Sequence, residues 1–143
     1  MTLDDCTTVL SDDCRSIASF EENGMIYRGI NNMRKRVIRY QVDCCEMPRD
    51  IKRCDNAIEL PTCNNIYFIE LKGEDIKKAA VQILCTINLY GRKLDGNKIF
   101  ARIVCSRIPR PDIRSSQIVS LERAVGATGG NLTKTCRKLE ESI

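Results

Sequence analysis

Between residues 74 and 90 the apolar positions fall at Ile76, Ala79, Ala80, Ile83, Leu84 and Ile87. This is the i, i+3, i+4, i+7, i+8, i+11 spacing of one helical face, without a miss. Gly73 stands before it, and Glu74 or Asp75 can open it. Upstream the period changes to two. Residues 37–42 (Val-Ile-Arg-Tyr-Gln-Val) and 55–60 read as strands. After the turn chemistry of Pro61-Thr62-Cys63-Asn64, residues 66–72 form a third strand. Its alternation sets Tyr67, Ile69 and Leu71 on one face and Phe68, Glu70 and Lys72 on the other. Residues 98–107 form a fourth strand, stopped by Pro109 and Pro111. Ser115 or Ser116 caps a second helix that runs to about residue 127, Gly129-Gly130 ends it, and residues 131–138 add a last strand. Residues 3–22, with Val9, Leu10, Ile17, Ala18 and Phe20, read as a first helix closed by Asn23-Gly24. Residues 44–53, with Pro48 and many charges, read as a loop.

The expected order is therefore α-β-β-β-α-β-α-β. It implies an α/β fold, a mixed central sheet flanked by helices. At 143 residues the chain suits one domain, residues 1–143, with a core over about 3–107 and a C-terminal helix and strand over 115–138. No apolar run reaches the length of a membrane span, and the acidic start Met1-Thr2-Leu3-Asp4-Asp5 lacks the order of a secretory signal. The expected place is the cytoplasm, with no membrane partner. Nine cysteines, an odd and irregularly spaced set, then read as free thiols. No Cys-x-x-Cys pair occurs, so Cys44, Cys45, Cys54 and Cys63 make a poor zinc set.

The chain has no histidine, which removes Ser-His-Asp and Cys-His catalysis and every histidine-based metal or base mechanism. Catalysis would have to rest on carboxylates, lysine, arginine, cysteine or tyrosine. Charge is uneven: residues 1–33 hold six acids and two bases, and residues 34–143 hold thirteen acids and twenty-one bases. An acidic leader on a basic body is compatible with a polyanionic partner. Arg34, Lys35 and Arg36, and later Arg107 and Arg110, are candidate phosphate contacts. Aromatics are too few for a single-strand stacking platform.

Glu70-Leu71-Lys72 holds an acid and a base two residues apart on a core strand, where burying either costs several kcal/mol unless it is paired or used. Such a pair lies on a solvated edge, forms a structural ion pair, or lines an active site. If Pro61 to Asn64 is the hairpin loop, Leu60 faces Asn65, and counting back sets Asp55 opposite Glu70. Facing Cβ atoms lie about 5 Å apart, so two carboxylates there repel unless a cation lies between them. Mg²⁺ suits such a site, because it takes one or two carboxylates and keeps its waters. Lys72 can stabilise charge growing on a phosphoryl group, or orient the attacking water.

Arg53-Cys54-Asp55, a short hairpin, and Ile69-Glu70-Leu71-Lys72-Gly73 before a helix resemble the PD-(D/E)XK, or restriction-endonuclease-like, nuclease superfamily. The resemblance covers about residues 3–107 and implies that family's αβββαβ core. It implies Asp55 and Glu70 as ligands of Mg²⁺ (or Mn²⁺), the Leu71 carbonyl as an extra ligand, and Lys72 as the catalytic lysine. It also implies Gln82, on the following helix, as an accessory residue, although on a helical wheel Gln82 falls off the centre of the apolar face. Glu21 or Glu22 would stand for the glutamate that some branches carry on the first helix. Cys54 stands where the family has its proline. The implied function is metal-dependent cleavage of nucleic acid, DNA favoured over RNA, in prokaryotic repair, recombination or defence. A homodimer mate or accessory protein would choose the target. The alternative is a catalytically inactive nuclease-like fold acting as an interaction module, such as an immunity protein or accessory subunit. A third reading is a small domain in which Asp55 and Lys72 form a structural ion pair.

Overall fold

A computed structural model describes residues 7–42, 55–71, 73–107 and 115–143. The expected loop over 44–53, Lys72, Arg110 and the first residues of the expected N-terminal helix lie outside these. The described elements are strands β1 (Thr8–Asp13), β2 (Ile17–Glu22), β3 (Met25–Ile30), β4 (Val37–Gln41), β5 (Asn56–Leu60) and β6 (Asn65–Leu71). Helix α1 (Ile76–Tyr90) follows, then a 3₁₀ turn (Gly91–Leu94), β7 (Lys98–Cys105), α2 (Ser116–Gly126), β8 (Leu132–Cys136) and β9 (Lys138–Ser142).

Two sheets result. The larger has the order β1-β4-β5-β6-β7-β8 and the smaller β2-β3-β9. From β1 to β6 the large sheet is antiparallel, and β6, β7 and β8 run parallel. The two parallel steps are made through α1 and α2, as parallel pairing requires a crossover. Asp75 caps α1, its Oδ1 accepting from the Lys78 N–H at 2.9 Å, and Ser115 caps α2 through the Ile118 N–H at 3.3 Å.

Alternation along the central strands feeds two cores. Ile38, Tyr40, Ala57, Ile66, Phe68, Ile99, Ala101, Ile103 and Cys105 face Ile76, Ala79, Ala80 and Ile83 of α1 and Ile118, Leu121 and Val125 of α2. The opposite faces, Val37, Ile58, Leu60, Tyr67, Ile69, Leu71 and Val104, meet Ala18, Phe20, Met25, Tyr27 and Leu139 of the small sheet. The described residues thus form three layers: two helices, a six-stranded sheet and a three-stranded sheet. The fold is mixed α/β on a mixed sheet, as expected, but both helices cover one face only.

The expected first helix is overturned over the described part of its range, residues 7–22, which forms β1 and β2. Asn23-Gly24 does not close a helix; it turns a hairpin. Glu22 pairs directly with Met25, and Asn23 and Gly24 have φ of 51° and 77°. Both central residues at positive φ mark a two-residue turn of the primed kind, whose twist matches that of the strands. Ala18, Phe20, Met25 and Tyr27 then all fall on one face. The final strand is also divided. Residues 132–136 belong to the large sheet and 138–142 to the small one, with Arg137 between them at φ 66°.

Candidate functional site

β5 and β6 pair in the register set by the Pro61–Asn64 turn: Leu60 with Asn65, Ile58 with Tyr67, Asn56 with Ile69. One residue further, Asp55 stands against Glu70, and the Asp55 N–H donates to Glu70 Oε2 at 3.1 Å. Glu70 is fully buried. It alternates with Ile69 and Leu71 and so lies on the face of β6 that carries Ile66 and Phe68, beneath the helices. Leu71, 3% exposed, ends the strand. Its side chain belongs to the other core, which leaves its backbone carbonyl as the only oxygen it can offer.

Asp55 is half-buried and borders a cavity of about 390 Å³ lined also by Leu10, Phe20, Glu21, Glu22, Gln41 and Asn56. Glu21 and Glu22 therefore come to the same end of the sheet as Asp55. They arrive on a hairpin strand and not on a helix. Gln82 is 8% exposed. The helical wheel places it off the apolar centre, but α1 packs against both the sheet and α2, so its buried surface is wider than one stripe. Thr86 joins Gln82 in that buried surface, its hydroxyl donating to the Gln82 carbonyl at 2.8 Å.

Among the described residues no three His, Cys, Asp or Glu side chains gather closely enough to hold a metal ion by themselves. Glu70 does not line the cavity that Asp55 borders, and with the Leu71 carbonyl the two carboxylates would make a set of hard oxygens. Such a set suits an ion that keeps most of its waters, and not one needing a protein cage.

The candidate phosphate contacts divide. Arg34, Lys35 and Arg36 precede β4, at the end of the sheet away from Asp55, since Gln41 at the other end of β4 pairs with Asn56. Arg36 is forked onto Asp12 at 2.9 and 2.7 Å. Arg34 donates to the Cys14 carbonyl at 3.2 Å, and Lys35 Nζ reaches the Ile143 carbonyl at 3.5 Å. Arg107 lies at the near end, just past β7. It is 74% exposed and 3.8 Å from Glu74.

Sequence reasoning missed a buried polar cluster of the interior. Arg102, 4% exposed, donates from Nε and Nη2 to Glu141 at 2.6 and 3.0 Å. Its Nη1 donates to the carbonyls of Ala101 and Asn131, both at 3.0 Å. The guanidinium lies over the stacked rings of Tyr67 and Phe100, 5.5 and 5.4 Å from their centroids. Burial and the nearby Glu141 push the Tyr67 hydroxyl up to about 12, and raise that of Tyr27 as well. The alternating Phe100-Ala101-Arg102-Ile103 held a hint, a charge at an inward strand position, but its partner comes from a strand unforeseen in the sequence. This group is satisfied and structural.

No protein-family model, curated protein or solved structure matches the chain. No helix among the described residues is long and apolar enough to cross a membrane.

Proposed function

We propose that the protein is a Mg²⁺- or Mn²⁺-dependent nuclease of the PD-(D/E)XK type, acting on DNA in preference to RNA. The observation that carries the reading is the meeting of Asp55 and Glu70 at adjacent strand ends, in the register counted from the hairpin turn. Burying a carboxylate is costly unless it is paired or used, and Glu70 is fully buried at this strand end. A divalent ion, when bound, would polarise a phosphodiester and make water more acidic.

The chain's own residues do the rest. Glu70 is fixed by the Asp55 N–H and by burial, so one ligand direction is set before substrate arrives. Asp55 opens on a cavity wide enough for a phosphate group and water, and the neighbouring Glu21 and Glu22 add negative charge that favours a cation. Lys72 is assigned charge stabilisation, or orientation of the attacking water, from the sequence pattern alone. Among the described candidate phosphate contacts, Arg107 lies nearest this end, whereas Arg36 is already committed to Asp12. Specificity would come from a second copy or an accessory protein.

The test is cleavage of plasmid, linear and single-stranded DNA and of RNA, with Mg²⁺, Mn²⁺ or EDTA, beside Glu70→Gln and Lys72→Ala. Metal-dependent cleavage that falls about 100-fold or more in either variant is expected. Silence on every substrate together with no metal uptake, or cutting that survives both changes, would overturn the reading.

A further inference from the structure

We propose that Cys105 and Cys136 form a redox-active dithiol that closes to a disulfide between β7 and β8. Both are free thiols and are direct partners in the parallel register of these strands. Facing residues on neighbouring strands have Cα atoms about 4.8 Å apart, and disulfides span roughly 4.4–6.8 Å. Partners in register point to the same side of a sheet. Each sulfur leans toward the opposite strand: Cys105 Sγ donates to the Thr135 carbonyl at 3.3 Å, and Cys136 Sγ to the Ser106 carbonyl at 3.1 Å. Cys136 is exposed and Cys105 fully buried. One thiol is open to an oxidant, and its in-register neighbour is sheltered to resolve the product.

With a peroxide as oxidant the chemistry balances. The Cys136 thiolate attacks one peroxide oxygen and the O–O bond breaks, giving a sulfenic acid and, once the thiol's proton is counted, water. The Cys105 sulfur then attacks the Cys136 sulfur as its proton passes to the departing hydroxide, which leaves as a second water. The sulfurs together lose two electrons, and hydrogen peroxide gains them. The bond would be felt beyond β8. Ser106 follows Cys105, and its N–H and hydroxyl both donate to the Gly73 carbonyl, at 2.6 and 2.8 Å, one residue past Lys72. Shifting Ser106 would therefore shift the backbone beside the proposed site.

The test is mass mapping of the full chain after hydrogen peroxide, without and then with dithiothreitol. A peptide pair joining Cys105 to Cys136, two hydrogens lighter and released by dithiothreitol, is expected. In Cys136→Ser, or Cys136→Ala should the serine variant fold poorly, peroxide should leave Cys105 a free thiol. Oxidation of Cys136 to sulfinic or sulfonic acid without the link, or a link from Cys136 to any other cysteine, would overturn the proposal. Because the readout is the bond and not cleavage, its result is separate from the fate of the nuclease reading.

Discussion

Arg102 is held on every side in the interior. Its guanidinium has a bidentate carboxylate, two carbonyls and two aromatic rings around it. Removing one partner of a buried ion pair costs about 3–5 kcal/mol because it strands the other's charge, and the cost shrinks as the stranded partner is more exposed. Glu141 keeps 23% of its side-chain exposure and Arg102 only 4%, so loss of Glu141 is the harder change to absorb. Urea unfolding should show Glu141→Ala losing about 3 kcal/mol, and Arg102→Met losing less. Equal losses, or the reverse order, would mean that the packing of the arginine stem matters more than its charge. By comparison, the exposed Arg15–Asp13 and Arg36–Asp12 pairs hold the two aspartates below the usual carboxylate range without anchoring the core.

At the scale of elements, glycine-bearing turns decide the architecture. Gly24 has φ 77° with open space around its Cα, so a methyl group there meets only backbone strain. Gly130 follows α2, where a Cβ would lie 1.7 Å from the Ile99 carbonyl oxygen. That group belongs to the backbone of β7 and cannot swing aside. Gly24→Ala should cost about 1–2 kcal/mol. Gly130→Ala should cost about 3 kcal/mol or more, because β7 and the loop after α2 must separate. Thermal melts of the two variants give the order. Arg137 makes the other decisive turn. Its N–H donates to the Cys105 carbonyl at 2.7 Å and its carbonyl accepts from the Ile26 N–H at 2.9 Å, so one residue carries the chain from β7's sheet to β3's. The helices and the β5–β6 hairpin were legible because each pattern is local and has a cap or turn at its boundary. The β2–β3 hairpin was not, because Val9, Leu10, Ile17, Ala18 and Phe20 fit a loose helical spacing. The deciding signal, Asn23-Gly24 between alternating residues, serves equally as a helix stop.

For the molecule as a whole, the two cores on either face of the large sheet each hold a group that resists ionisation. Burial lifts the Cys105 thiol in the helix-side core from its ordinary 9.0 to about 11, and Cys136 adds to the rise. Tyr67, in the core beneath the small sheet, rises from 10.0 to about 12. In each case the folded chain binds the proton more tightly than the unfolded chain. The contribution is therefore complete below the unfolded values and is lost as pH climbs through the folded ones. Melting temperature should hold steady up to about pH 9 and fall between pH 9 and 12, and Cys105→Ala should remove the lower part of that fall. A melting temperature unchanged to pH 12 would contradict it.

By itself the sequence determined the middle of this protein: three strands, the last two an antiparallel hairpin, the helix that crosses to a fourth, and the opposition of Asp55 and Glu70, since a four-residue turn fixes which residues of its hairpin face each other. It did not reach the second layer. That β2, β3 and β9 assemble into a separate sheet, that Glu141 crosses to Arg102, that Glu21 and Glu22 reach Asp55's cavity, and that Cys105 lies beside Cys136 all rest on contacts between residues far apart in the chain. Local spacing carries no record of such contacts. They are chosen only when the exposed apolar face of the large sheet must be covered and the strands left over are the ones that can cover it.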